Sequence, residues 1–567
     1  MKSAAFRLPP LLALLPFLPA LTASAQFIGP STTTDPYLIP SSANIRTTSI
    51  LTVGDSVNSK ANGSPYRMVG IPDGLGAFDN GDGTLTVLMN HELGTTAGIA
   101  RDHGGTGAFV SKWTIDSKTF QVRSGADLIQ EVQLWNGSDW QSAANSLFGR
   151  FCSADLPAPT AFYNPSTGLG TTERIFMNGE EAGSEGRAFG TVVSSGTAYE
   201  LPALGKFSWE NSVANPGSGN VTLVAGMDDS TPGQVYFYQG QKQATGNPIE
   251  RAGLSDGNLW GLKVPNVSQE SRSGGLDGSP EVRESFAVEF FNQGNVTGMT
   301  GAQVQAGSVS GGVTEFLRPE DGAWNPLKPD QFFFVTTDRF DTTKTGTGSQ
   351  QGRSRLWQLD ISDLSDLSKG GRLSMLLDGT ESQQMLDNLT VTENGMILLQ
   401  EDPGGQDYLS RVWSYDLDDG SLEEIAAHDP DFFQPGAAVF LTRDEESSGI
   451  LDITGLLNRP DGNRYYLADV QAHYSLGGEL VEGGQLLVLT EVPEASTWIG
   501  GGLIAAAAGA TWIRRRNSWG LFAPAGFAVA AMSVLSRRVD AIRPTPERSG
   551  DGLKAFGIGG PVVRVER

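Results

Sequence analysis

The chain has 567 residues, with 40 Lys and Arg against 64 Asp and Glu, a formal net charge of −24 and 72 glycines. Between residues 26 and 491 the imbalance rises to 28 basic against 59 acidic residues, a net of −31. A body of that charge repels nucleic acid and anionic lipid and attracts divalent cations, so nucleic acid is excluded as a partner. Solubility outside the cell accounts for the charge equally well. The single cysteine, Cys152, excludes an intramolecular disulfide, which leaves the core and bound metals to stabilise an exported chain.

Residues 1–25 read as a secretory signal. Lys2 and Arg7 supply the basic start, residues 11–21 the apolar stretch and Ala23-Ser24-Ala25 the small-residue cleavage site. From residue 48 to 492 strand-like runs recur in pairs around Gly-bearing turns, with no long amphipathic helix; residues 144–148 and 361–368 read at most as helical turns. Six apolar runs stop at acids. They are 85–89 before Asn90-His91-Glu92, 174–177 before Asn178-Gly179-Glu180-Glu181, 221–227 before Asp228-Asp229, 332–337 before Asp338, 396–400 before Glu401-Asp402, and 465–468 before Asp469. Strand 221–224 is expected to pair with 234–238, 332–336 with 355–359, and 396–400 with 411–415. Units of this shape predict an all-β fold, a β-propeller with irregular blades and insertions between them; a long sandwich is the alternative. Carboxylates at converging strand ends repel one another unless a cation lies among them, so the pattern predicts a metal-rich centre.

Residues 492–516 begin Val492-Pro493-Glu494-Ala495-Ser496, continue through an apolar stretch and end in Arg514-Arg515-Arg516. This order resembles the PEP-CTERM sorting signal. The resemblance implies export, tethering to a membrane by this segment before the sorting machinery acts, and final display outside the cell. A second apolar stretch at 519–535 precedes Arg537-Arg538, and the tail at 517–567 has no assigned role. The expected layout is a leader at 1–25, a propeller at 26–491, a sorting segment at 492–516 and a tail.

Eight segments in series carry a second resemblance. They are Met89-Asn90-His91-Glu92, Phe151-Cys152, Asn178-Gly179-Glu180-Glu181, Leu204-Gly205-Lys206-Phe207-Ser208-Trp209-Glu210, Asn258-Leu259-Trp260-Gly261-Leu262-Lys263-Val264, Leu317-Arg318-Pro319-Glu320-Asp321-Gly322-Ala323-Trp324, Asp387-Asn388-Leu389-Thr390-Val391-Thr392 and Gln400-Glu401-Asp402. In order and rough spacing these resemble the secreted, calcium-dependent alkaline phosphatases of the PhoX family, over most of the mature body. The resemblance implies calcium and iron ions at the mouth of a propeller channel and hydrolysis of phosphate monoesters; a monomer is expected. It further implies that Arg318 holds phosphate, that Glu320 acts beside it as an iron ligand, and that Cys152 and Glu210 are further ligands. Glu180, Glu181, Asp228, Asp387, Glu401 and Asp402 would complete the calcium and iron sites.

The chemistry also follows from the residues. A phosphate monoester is dianionic and needs metal ions to reverse the sign of a carboxylate ring. Hard carboxylate oxygens suit calcium and ferric iron. A guanidinium adds a forked clamp on two phosphate oxygens. Asp229, Asp338 and Asp469 read as structural turn residues, and His91 as a neutral residue orienting Glu92. Two other functions remain open: a non-catalytic, calcium-stabilised extracellular propeller, and a single-calcium lactonase or phosphotriesterase-like hydrolase.

Overall fold

The computed structural model describes residues 26–279, 285–339 and 354–493. The leader at 1–25, the tail and all but the first two residues of the sorting segment lie outside the described residues. Tethering by a membrane span is corrected: among the described residues no helix is long and apolar enough to cross a membrane.

The fold is an all-β propeller of six blades, counted over the described residues. The first blade is a plain antiparallel sheet of Pro72–Asp79, Thr84–His91, Phe109–Asp116 and Val122–Asp127. The second runs Phe151–Asp155, Ile175–Glu180, Ala188–Val192 and Thr197–Glu200, and adds Glu131–Trp135 in parallel on its outside. Blades three (Trp209–Ala214, Val221–Asp228, Val235–Gln241, Asn258–Lys263) and four (Pro319–Asn325, Lys328–Thr336, Arg355–Ile361, Gly371–Leu377) share one outer strand, Ser285–Gly294. Its first part pairs with the fourth blade and its second part with the third, welding the two. Blade five comprises Leu386–Val391, Met396–Glu401, Arg411–Asp416 and Leu422–His428. Blade six comprises Glu445–Asp452, Arg464–Gly477 and Val481–Glu491.

Strands from the start of the described chain finish these last two blades. Leu38–Pro40 lies on the outside of blade five, while Ile45–Thr52 and Gln26–Ile28 complete blade six. Pairing strands from both ends of the described residues in one sheet closes the circle of blades. The six inner strands each lie against the next, and the sixth lies against the first, around a central channel.

The second strand of each blade is sandwiched between neighbouring blades, so both its faces are buried over most of its length; Ile175–Glu180 and Val221–Asp228 have no exposed residue. That is why these strands read as continuous apolar runs rather than as alternating ones. Three third strands repeat a Trp-x-x-Asp pattern at Trp113, Trp357 and Trp413. Their indole N–H groups donate to Ser111 Oγ, Thr336 Oγ1 and Glu401 Oε1, which satisfies a polar atom at the centre of each blade.

The three expected strand pairs are present in antiparallel register. Two local expectations change. Arg464–Gly477 does not stop at Asp469, because it continues in a long hairpin with Val481–Glu491. Residues 144–148 form no helix, and 361–368 is the end of one strand followed by a 3-10 turn at Leu367–Lys369.

Candidate metal centre

In five blades the first residue of the inner strand pairs with the last residue of the second strand. The pairs are Pro72 with His91, Phe151 with Glu180, Trp209 with Asp228, Pro319 with Thr336 and Leu386 with Glu401. The register then shifts, leaving the next two residues of the inner strand in a bulge. A bulge kinks its strand and re-aims a side chain. The residues carried at the first bulge position are Asp73, Cys152, Glu210, Glu320 and Asp387, all buried. Gly74, at the second position of blade one, has no room for a side chain: a Cβ there would lie 2.3 Å from Ala154 N, so inner strands one and two meet backbone to backbone.

Beside these five stand Glu92, Glu181 and Asp402, each the first residue after a second strand. Blade six contributes Glu446, paired with Gln471, with its bulge lying later between Ser447 and Ile450. The result is four groups whose ligand atoms lie within 4.8 Å of one another: Asp73, Glu92 and Cys152; Cys152, Glu181 and Glu210; Glu210, Glu320 and Asp387; and Asp387, Asp402 and Glu446. Each group shares a member with the next. Gln471 closes the remaining gap, with Nε2 at 3.2 Å from Asp73 Oδ2, 3.1 Å from Glu92 Oε2 and 3.2 Å from Glu446 Oε1. Three carboxylates thus converge on one amide nitrogen.

Of the residues expected from sequence, Cys152, Glu181, Glu210, Glu320, Asp387 and Asp402 meet here, with Arg318 beside them. Arg318 Nε donates to Asp229 Oδ1 at 3.0 Å, and its Nη2 lies 2.6 Å from Glu320 Oε1. Glu180, Asp228 and Glu401 stand outside the groups. Successive strand residues point to opposite sides, so the acid one position before the ring is turned back into its blade. Glu180 is held by two Arg187 nitrogens at 2.6 and 2.7 Å and by Gly149 N. Asp228 accepts from Ser208 N and Ser230 Oγ. Glu401 accepts from Trp413, Tyr408, Gln384 N and Arg411 N.

His91 occupies the equivalent turned-back position in blade one. Its ring nitrogens contact Gly70 O and Ser111 Oγ rather than the expected Glu92, it stacks on Phe109, and burial keeps it neutral, lowering its pKa to about 3. Asp338 receives Arg272 Nε on both oxygens, and Asp469 accepts Gly449 N in the blade-six bulge.

Asp73, Glu446 and Gln471 escaped sequence reasoning because no apolar run announces them. A usable signal was present at the bulges, where the ligand-type residue is followed by glycine or a small polar residue: Asp73-Gly74, Cys152-Ser153, Glu210-Asn211, Glu320-Asp321 and Asp387-Asn388. The second members form a floor under the ring. Asn211 Nδ2 donates to Asp321 Oδ1 at 2.5 Å and to Ser153 Oγ at 3.3 Å, Leu389 N donates to Asp321 Oδ2, and the Asn388 amide lies 2.8 Å from the Ser153 hydroxyl. Below this floor the channel opens into a cavity of about 420 Å³.

Burial and mutual repulsion dominate the electrostatics. Asp73, Glu210 and Asp387 are held well above the usual carboxylate range, first by burial and then by the neighbouring acids. Glu320 is raised by burial although Arg318 opposes it. Burial pushes Glu181 and Asp402 each to about 7 and the Cys152 thiol well up. Only cations among these groups would hold them ionised at neutral pH. Eight carboxylates and one sulfur form a donor set of hard oxygens with a single soft atom. It fits calcium throughout and iron where Cys152 participates.

No family model and no curated protein sequence matches the chain. Among solved structures it is similar to Pseudomonas fluorescens PhoX in complex with vanadate, a transition state analogue. The TM-score is 0.51 at 13% identity, covering 80% of this chain and 97% of that one. Trypanosoma rangeli sialidase in complex with the inhibitor DANA gives a TM-score of 0.33 at 12% identity, covering 86% and 64%. The likeness to PhoX shows a common propeller fold, and the site rests on the geometry above.

Proposed function

We propose that the chain is a metal-dependent hydrolase of phosphate monoesters. The observation that carries this reading is the bulge series: five inner strands deliver Asp73, Cys152, Glu210, Glu320 and Asp387 to one circuit, with the Arg318 guanidinium fixed beside Glu320. The first two groups around Cys152 are the natural place for iron, and the all-oxygen groups suit calcium. Bound there, such ions would reverse the sign of the ring, activate an oxygen nucleophile and stabilise the departing alkoxide.

The chain's own residues do the rest. Asp229 and Glu320 grip the Nε and Nη2 edge of Arg318 and leave Nη1 for phosphate oxygens. The hydrogen-bonded floor of Ser153, Asn211, Asp321 and Asn388 keeps the ring at fixed spacing, so its charges need not reorganise as the ester is cleaved. The vanadate complex of the similar PhoX structure supports the same reading.

The test is p-nitrophenyl phosphate hydrolysis by metal-loaded protein at alkaline pH. Activity should vanish on chelation and fall about a hundredfold or more in Arg318→Ala, as expected when a contact to the transferring phosphoryl group is lost. Full activity in a folded Arg318→Ala protein would remove the phosphate clamp and the reading with it. A metal-binding but inactive wild type would instead favour a calcium-stabilised scaffold.

A further inference from the structure

Two blades place an arginine immediately before the inner strand: Arg150 before Phe151–Asp155 and Arg318 before Pro319–Asn325. In blades one, three and five that position holds Ile71, Ser208 and Met385. The arginines are anchored alike. Each Nε donates to the carboxylate just after the second strand of the preceding blade, Arg150 to Glu92 Oε1 at 2.5 Å and Arg318 to Asp229 Oδ1 at 3.0 Å. Each Nη2 reaches a second acid within its own blade, Glu181 Oε2 at 2.5 Å for Arg150 and Glu320 Oε1 at 2.6 Å for Arg318. In both cases Nη1 has no protein partner among the described residues. The Arg150 side chain is 52% exposed against 26% for Arg318, so it is the outer of the two.

The acids anchoring the two arginines are themselves neighbours. Glu181, which holds Arg150, groups with Cys152 and Glu210, and Glu210 groups in turn with Glu320, which holds Arg318. The two guanidiniums therefore flank one stretch of the ring. A guanidinium fixed along its Nε and Nη2 edge has already lost most of its rotamer freedom, and the two N–H groups of Nη1 remain to donate charged hydrogen bonds to a tetrahedral anion.

We propose that Arg150 is a second phosphate-binding residue, equivalent by position to Arg318, and that the two hold one phosphate dianion from blades two and four. This rests on the phosphatase reading for the substrate class, phosphate monoesters, but not for the anion contact itself. A mere surface ion pair at Arg150 would organise Glu92 and Glu181 and leave anion affinity unchanged.

The experiment compares Arg150→Met and Arg150→Lys with the metal-loaded wild type. It measures metal content by mass spectrometry, orthophosphate affinity by calorimetry, and KM and kcat for p-nitrophenyl phosphate. Expected are unchanged metal content in both variants and orthophosphate affinity about tenfold or more weaker in Arg150→Met, the usual effect of losing a charged hydrogen bond. KM should rise by a similar factor, with Arg150→Lys between the two. Unchanged orthophosphate affinity in Arg150→Met overturns the proposal, as does loss of metal with unchanged phosphate affinity per loaded site, or a wild type that binds no orthophosphate. Should Arg150→Met fail to fold, Arg150→Lys decides, since it keeps the charge but not the fixed guanidinium: wild-type affinity and KM overturn the proposal. A wild type that binds orthophosphate without cleaving the ester sinks the phosphatase reading and leaves the Arg150 contact to be judged by binding.

Discussion

Cys152 donates its thiol to Glu181 Oε2 across 3.3 Å, and the pair joins the group built on blade one to the group built on blade three. Burial and the surrounding acids Glu210, Glu92 and Glu181 hold the thiol protonated. A thiolate there requires a cation at bonding distance, and sulfur selects iron over calcium. Protein loaded with ferric iron should therefore absorb in the visible through thiolate-to-iron charge transfer, and Cys152→Ser should bleach that band. An iron-loaded wild type without colour, active on phosphate esters, would make Cys152 a packing residue.

Glu180 and Glu181 are adjacent in sequence and opposite in role. Glu181→Gln removes an oxygen donor from the ring and should lower the metal content of the protein. Glu180→Gln should leave metal content intact and destabilise the fold instead, since it weakens a doubly contacted Arg187 pair whose acid is buried. A charged hydrogen bond of this kind is worth on the order of 2 kcal/mol. Metal analysis and melting curves on the two variants read the contrast, and equal metal loss in both would contradict the turned-back position of Glu180.

Much of this geometry was legible because the second strands of blades one to five are buried on both faces as they approach the channel. Each apolar run is conspicuous, and its end marks the mouth of the channel. Hence Glu92, Glu181 and Asp402 could be placed near a common centre from the chain alone. Which of two neighbouring acids faces inward depends on the pleat, and one residue of uncertainty in the strand end exchanges Glu181 for Glu180 or Asp402 for Glu401. The inner strands were harder to read, being short and interrupted by bulges, so that Asp73 follows no periodic run at all. Glu446 was hidden further, since the blade-six bulge falls between Ser447 and Ile450, out of step with the other five.

Chelation should lower the melting temperature by several degrees, more so at alkaline pH. The raised carboxyls Asp73, Glu210, Glu320 and Asp387 ionise as pH rises, and without cations their repulsion opposes folding. Metal that binds only the folded chain supplies stability by mass action, which the chelator removes. Superimposable melting curves with and without chelator at pH 9 would exclude a structural contribution from bound ions.

A buried histidine in blade five, His428, should set an acid limit of its own. Its ring is fully buried, with Nε2 2.8 Å from Ser447 Oγ and Nδ1 4.0 Å from Glu445 Oε1; Phe433 packs at 5.1 Å, and Ser410 N donates to Glu445. Burial pushes His428 down to about 3 and Glu445 up to about 9, so both are neutral at pH 7. For His428 the unfolded chain binds a proton near pH 6.5 while the folded chain does not, so its contribution is intact above pH 6.5 and is lost as pH falls toward 3. Glu445 runs the other way, being fully stabilising below its unfolded value and losing that contribution as pH rises through about 9. His428→Gln keeps a polar group beside Ser447 and deletes the titration. Between pH 6.5 and 4 the variant should therefore lose less of its melting temperature than the wild type, even if it starts lower at pH 7. Parallel loss in the two proteins would mean that the ring is not held neutral and that the acid limit is set elsewhere.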